Sequence, residues 1–178
     1  HEGFDMAGFG HARPQIKEAI VSLSAPFVIS KTSFLKLRNK EPSRITEDVF
    51  TSLLRQSKEE KDPDERKIPK GSIQIEQKLI KSMLNGYETA SPYEKTAREA
   101  EFAVFESFSV SRVTEKISDT LTHLIHTKRI SFHSFSLIAF AMIRERFPEE
   151  LDFMVADISG EQTEICMVKK GTLVGTMT

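Results

Sequence analysis

The segment 157–164, Asp-Ile-Ser-Gly-Glu-Gln-Thr-Glu, combines residue types that a phosphate and magnesium site requires. It follows an apolar run, so Asp157 stands at the end of a predicted buried strand. A carboxylate there can hold a hydrated Mg²⁺ ion, which keeps several waters and takes one or two carboxylates. Ser159 and Gly160 are small enough to let backbone N–H groups approach phosphate oxygens, and Thr163 adds a hydroxyl. The pattern indicates an anion-binding turn, and a plain hairpin with glycine at a positive φ fits the same spacing.

Histidines and the single cysteine are the other reactive candidates. His123 and His126 are three residues apart on a predicted helix, a spacing that suits one metal ion, and His133 is near in sequence. No carboxylate or cysteine completes a recognisable ligand set, so we interpret them as surface or inter-helix histidines. Cys166 lies in a predicted strand and is expected to be a small buried apolar residue.

Composition excludes several classes of protein. The 178 residues carry 25 Lys+Arg against 26 Asp+Glu, a balance that provides no field to attract nucleic acid or an anionic bilayer. A single cysteine excludes a disulfide framework and makes a reducing, cytoplasmic compartment the expectation. No apolar run reaches the ~18 residues that span a bilayer, and neither a serine-hydrolase elbow nor a P-loop occurs. A first residue other than Met and a last residue inside a predicted strand suggest part of a longer protein.

Three strands in succession must position the candidate turn. The apolar runs 153–158, 163–168 and 172–177 are separated by residues 159–162 and by Lys170-Gly171, both typical of tight turns. Strand, turn, strand, turn, strand predicts an antiparallel meander.

The rest of the chain predicts a mixed α/β (α+β) protein. Apolar runs ending at Pro26 and starting at Val28 suggest two strands paired as a hairpin, with Pro42 breaking the second. Thr46 is a predicted N-cap, and the charged segment 58–67 is a predicted solvated connection and the best candidate boundary. Asn85-Gly86 predicts a turn. The remaining predicted elements are helix 49–56, strands 73–84 and 100–110, helix 113–125, strand 130–132 and helix 135–147.

The segment 157–164 resembles the second phosphate-binding hairpin of the actin-like ATPase superfamily, Asp-(Ile/Val)-Gly-Gly-Gly-Thr-Thr-Asp followed by two apolar strands. Within that superfamily, the chain is most similar to the FtsA and PilM branch of bacterial cell-division and type IV pilus assembly proteins. The residues that carry this likeness are Ser-Ala-Pro-Phe-Val-Ile-Ser-Lys-Thr at 24–32, Arg-Ile-Thr-Glu-Asp-Val at 44–49, Ile-Glu-Gln at 75–77 and Leu-Asn-Gly-Tyr at 84–87. The likeness covers about residues 19–178.

The resemblance implies a partial ribonuclease-H-like, actin-type lobe with an inserted small α+β subdomain and the start of a second lobe. It divides the chain into an irregular segment 1–18, part of the first lobe at 19–68, the inserted subdomain at 69–134, and a return helix with the phosphate-binding hairpin at 135–178.

The resemblance also implies a site for ATP and Mg²⁺. Asp157 is then the catalytic carboxylate, which holds the metal ion through water. The residues expected around the phosphates are Ser159, Gly160, Glu161, Gln162 and Thr163. Ser159 and Glu161 replace two family glycines, and Gln162 replaces a threonine. A Glu161 carboxylate ~5 Å from a terminal phosphate would repel it by about 3 kcal/mol per charge pair at an effective dielectric near 20.

The implied function is a scaffold that assembles with itself under nucleotide control and links a cytosolic division or pilus protein to the inner face of the cell membrane. Membrane association is then indirect or made by segments outside these residues, and no nucleic acid is involved. The superfamily's first phosphate hairpin and adenosine-binding Gly-Gly segment are not found, so ATP binding or hydrolysis is expected of the intact protein only. Two alternatives remain: a small-molecule kinase of the same superfamily, and an α/β binding module without nucleotide.

Overall fold

The computed structural model describes residues 16–59, 68–160 and 162–178. These ranges form a mixed α/β structure with about 25% helix and 50% strand, which confirms the predicted mixed class. No helix within them is both long and apolar enough to cross a bilayer. The elements, in chain order, are β1 Ala19–Leu23, β2 Ile29–Arg44, α1 Glu47–Glu59, β3 Ser72–Leu84, β4 Tyr87–Glu88, β5 Thr96–Val110, α2 Ser111–Ile125, β6 Ile130–Ser134, α3 Phe135–Arg146, β7 Phe153–Ser159, β8 Gln162–Lys169 and β9 Thr172–Met177.

The strand β5 lies inside a four-stranded sheet of order β2-β5-β3-β4, and each neighbouring pair is antiparallel. Successive side chains of a strand point to opposite faces. Phe102 and Val104 lie in one hydrophobic core, whereas Phe105 lies in a second, and all three are at most 1% exposed. This explains why β5 is dense in apolar residues, because both of its faces are buried.

The first core lies between the sheet and α1. The Thr46 hydroxyl accepts a hydrogen bond from the Val49 N–H at 3.3 Å, which confirms the predicted N-cap. Leu54 of α1 packs against Phe102, and Phe50 meets the Phe102 ring edge to face at 5.5 Å between centroids. The helix runs to Glu59, so it includes the first two residues of the segment predicted as a connection. Residues 60–67 of that segment, like residues 1–15 and Glu161, lie outside the described residues.

The second core joins α3, β5 and the three-stranded sheet β7-β8-β9. Its buried members are Phe105, Leu137, Phe140, Cys166, Val168 and Leu173. Both pairings in this sheet are antiparallel, which confirms the predicted meander. Its turns contain Gly160 and Gly171, both with positive φ. The meander is therefore held on one face by α3.

The predicted β1–β2 hairpin is wrong. β1 instead pairs in parallel with β6, from Ala19 opposite Ile130 to Leu23 opposite Ser134. The strand β2 is 16 residues long, and it pairs with β5, itself 15 residues long, from its first residue to its last. One hydrogen-bonding edge of β2 is occupied by β5 along its whole length. The pairing of β2 is therefore decided by this long match and not by its closeness to β1 in the sequence.

The expected chain break at Pro42 is also wrong. β2 continues to Arg44 around an irregularity between Arg38 and Ser43, where the register with β5 shifts. Proline lacks the N–H that a ladder needs, and it is tolerated at bulges and in edge strands. β2 is an edge strand of this sheet, so both conditions hold at Pro42.

Candidate functional site

Asp157 lies near the end of β7, directly opposite Glu164 of β8 in the antiparallel register. Residues opposite each other point to the same face, with Cβ atoms about 5 Å apart. Asp157 is half-buried, whereas Glu164 is 2% exposed. The structure therefore brings two carboxylates together on the face of the meander that packs against α3.

The start of α3 supplies a polar group for this acidic pair. The Ser136 hydroxyl donates a hydrogen bond to Glu164 Oε1 at 3.2 Å, and Ser136 is fully buried. A buried carboxylate requires such partners, because desolvation of an unsatisfied charge is costly. Ser136 thus fixes the position of Glu164 relative to the helix.

Cys166 follows Glu164 by two residues and lies on the same face. Desolvation raises the pKa of the Cys166 thiol to about 11; a hydrogen bond with Ser136 opposes this change, and the charges of Glu164 and then Asp157 add to it. The thiol is buried and belongs to the second core. Cys166 is therefore a packed core residue with a neutral thiol at pH 7, as the sequence predicted.

The turn after Asp157 is open to the outside. Ser159 lies opposite Gln162, and both are exposed on the same face as Asp157. Gly160 has φ +37°, and a Cβ built on it would meet no atom within 4 Å. A bulky anion can therefore approach this backbone. Thr163 lies opposite Ile158, on the other face, so the structure does not bring its hydroxyl together with Asp157.

Asp157 and Glu164 are carboxylates, the donor type of which a hydrated magnesium ion takes one or two from a protein. Asp157 is half-buried and Glu164 is 2% exposed, so Asp157 is the carboxylate that a hydrated ion could reach. Within the described ranges, no group of three or more His, Cys, Asp or Glu side chains could hold a metal ion by itself. The remaining ligands would therefore be waters and phosphate oxygens, with backbone N–H groups of the turn facing the anion.

The histidines lie elsewhere. His123 and His126 are exposed near the end of α2, and His126 is its left-handed C-cap with φ 54°. His133 of β6 contacts Glu76 of β3, with 2.8 Å between Nδ1 and Oε1. The three histidines therefore do not lie together. His123 and His126 are surface residues, as predicted, whereas His133 lies between two strands and not between helices.

Glu76 is a positioning residue that the sequence analysis did not assign. Its Oε2 accepts hydrogen bonds from the Ser134 N–H at 3.2 Å, the Ser134 hydroxyl at 3.0 Å and the Ser107 hydroxyl at 3.3 Å. The Ser134 hydroxyl in turn accepts from the Leu137 N–H at 3.4 Å and caps α3. Glu76 therefore fixes the start of the helix that carries Ser136. In the sequence, Glu76 is recognisable only as a glutamate inside a strand-like run. That pattern does not indicate that Ser134 is its hydrogen-bond partner.

We expect Glu76→Ala to lower the free energy of unfolding by about 3 kcal/mol, because it removes the acceptor of three hydrogen bonds and leaves buried Ser134 and Ser107 donors unsatisfied. Urea unfolding measures the change. Glu115→Ala, at an exposed residue of α2, is the control and is expected to change stability by no more than a few tenths of a kcal/mol. Equal effects of the two substitutions would contradict the role given to Glu76.

The thiol of Cys166 predicts a pH dependence of stability. Its pKa is raised from 9.0 to about 11 in the folded state, so its contribution is fully present below pH 9 and is lost as the pH rises toward 11. Unfolding free energies of the wild type and Cys166→Ala, measured from pH 8 to 11, should therefore converge as the pH rises. A constant difference across that range would show that the folded thiol titrates like the unfolded one.

Comparison with known proteins gives no match: no protein-family model matches this chain, and no curated protein matches it either. The geometry of residues 157–160 and 162–164 is therefore the basis on which its function is inferred.

Proposed function

We propose that this chain is part of an actin-superfamily scaffold of the FtsA and PilM type, with a ribonuclease-H-like architecture. In such a protein, binding of ATP and Mg²⁺ controls self-assembly and contact with a cytosolic division or pilus partner, at the inner face of the membrane. The observation that carries the proposal is the acidic pair Asp157 and Glu164 beside the open turn at Gly160.

The meander supports the proposal because its order matches that of the superfamily hairpin. A strand ends in an aspartate, a tight turn with a glycine follows, and two further antiparallel strands complete a three-stranded sheet. The parallel pair β1–β6 forms a two-stranded sheet separate from the meander, so the ribonuclease-H-like architecture remains part of the proposal. The domain division at 19–68, 69–134 and 135–178 remains part of this proposal.

The second half of the β2 edge supports assembly. The first half of this edge is covered by β9, where the Thr32 hydroxyl donates to the Leu173 carbonyl at 2.8 Å. In its second half, Lys36 and Arg38 form exposed ion pairs with Glu101 and Glu99 of β5. Charged edge strands resist uncontrolled pairing but can accept a matching strand. A regulated contact between subunits suits this edge.

When bound, ATP and Mg²⁺ would supply the phosphate charge that the turn recognises and the energy that drives assembly. Asp157 would hold the ion through water, and the negative charge of Glu164 would offset part of the ion's positive charge. The backbone of Ser159, Gly160 and Gln162 would face the phosphates. Ser136 would keep Glu164 in place through its hydrogen bond.

We expect Asp157→Ala in the intact protein to weaken Mg²⁺-dependent ATP binding at least tenfold or to abolish hydrolysis, because the carboxylate that holds the ion is lost. Binding is measured by calorimetry with and without Mg²⁺. Asp119→Ala, an exposed residue of α2, is the matched control and should bind as the wild type does. If the wild type binds ATP and Asp157→Ala is unchanged, the role of Asp157 is wrong; if the wild type binds no ATP, the binding module without nucleotide is favoured.

The family pattern has glycine where this sequence has Glu161. We expect Glu161→Gly to raise ATP affinity, by as much as a hundredfold if the repulsion of about 3 kcal/mol acts in full. The same calorimetric titration measures the ATP affinity of the variant and of the wild type. An unchanged affinity would mean that the carboxylate faces water when nucleotide is bound.

A further inference from the structure

A cavity of about 310 Å³ lies between the four-stranded sheet and the β8–β9 turn, on the other side of the sheet from α1. Phe34 and Ala103 form part of its floor; they are register partners whose side chains point away from the first core. Met83 of β3 and Val174 of β9 add apolar walls. This volume and apolar lining are in the range of small-ligand clefts.

The polar groups of the cavity are mostly cationic, since four lysines and one glutamate line it. Lys36 pairs with Glu101 at 3.3 Å, and Lys81 pairs with Glu88 at 3.3 Å. Within the part of the chain that the structure describes, the ammonium groups of Lys169 and Lys170 form no ion pair. Positive charge therefore remains at the rim of an apolar cavity.

The turn that carries these two lysines is fixed on both sides. The Lys170 N–H donates to Asp152 Oδ1 at 2.6 Å, and the Lys170 carbonyl accepts from Lys81 Nζ at 2.7 Å. The next N–H, of Gly171, donates to the Leu151 carbonyl at 2.7 Å. The fixed backbone removes the ordering cost of the turn itself, so only the two lysine side chains must be ordered when a ligand binds.

We propose that this cavity binds a single-chain amphiphilic carboxylate, with the aliphatic chain on Phe34, Met83 and Val174 and the carboxylate at Lys169 and Lys170. The apolar floor matches the chain, and the two unpaired ammonium groups match one anionic head group. The site is separate from the turn at 157–164, and this inference does not depend on the proposed function.

Octanoate and 1-octanol test the proposal because they share a chain and differ in charge. Calorimetry on the full chain should show octanoate binding at least tenfold more tightly than octanol. The double variant Lys169→Gln/Lys170→Gln should remove that difference, while the matched double variant Lys116→Gln/Lys128→Gln, at exposed positions away from the cavity, should keep it. Equal affinities of the two ligands in the wild type, or octanoate binding that survives the first double variant, would overturn the proposal.

A second pair of variants tests the apolar floor. Phe34→Ser should weaken both ligands at least fivefold, whereas Phe27→Ser should weaken neither, although the two phenylalanines are 55% and 54% exposed. Urea unfolding of each variant checks that it folds, and if Phe34→Ser does not fold, the lysine variants decide alone. Binding of a peptide with alternating Leu and Glu, or of phosphatidylglycerol vesicles, without octanoate binding would replace the proposed ligand with a protein partner or a membrane.

Discussion

The Glu76 carboxylate, on a side chain that is 10% exposed, is the constraint on which the arrangement of the described residues depends. It joins β3 to β5 through Ser107 and to the β6–α3 junction through Ser134 and His133. Because a desolvated carboxylate must keep its hydrogen bonds, these four elements cannot move apart without a large cost in free energy. The direction of α3 follows from this, since the Ser134 cap determines where the helix begins.

A second buried carboxylate performs a similar task on the other side of the sheet. Glu106 of β5 is fully buried, and its Oε1 lies 2.9 Å from Lys58 Nζ and 3.0 Å from Gln77 Nε2. Lys58 lies in the last turn of α1, so the ion pair ties the end of that helix to the central strand. Loss of Lys58 would leave the buried Glu106 charge uncompensated, so the pair stabilises the contact between the end of α1 and β5. Both faces of β5 are thus joined to helices by packing and by charge.

The sequence predicted most of the elements because their signals are local. The helix start at Thr46, the turn at Asn85-Gly86 and the three strands of the meander each follow from a cap, a turn dipeptide or an apolar run of a few residues. The pairing of β1 with β6 spans more than a hundred residues and has no local signal. The same holds for the contacts of Glu76 with Ser134, because a glutamate in a strand gives no sign of whether water or a buried hydroxyl satisfies it.

At the candidate site too, the sequence predicts what depends on neighbouring residues and does not predict what depends on strand register. The segment 157–164 revealed the turn and Asp157, but the partner of that residue depends on strand register, which places Glu164 beside it and Thr163 on the other face. Two carboxylates side by side repel each other, and the Ser136 hydroxyl donates a hydrogen bond to Glu164 that stabilises one of them. A divalent cation would relieve it most effectively, since each carboxylate would then face an opposite charge. The same two charges add to the rise in the pKa of Cys166, of which burial is the main cause. In the proposed function this relief of the repulsion comes from the Mg²⁺ ion, whose further ligands are waters and phosphate oxygens.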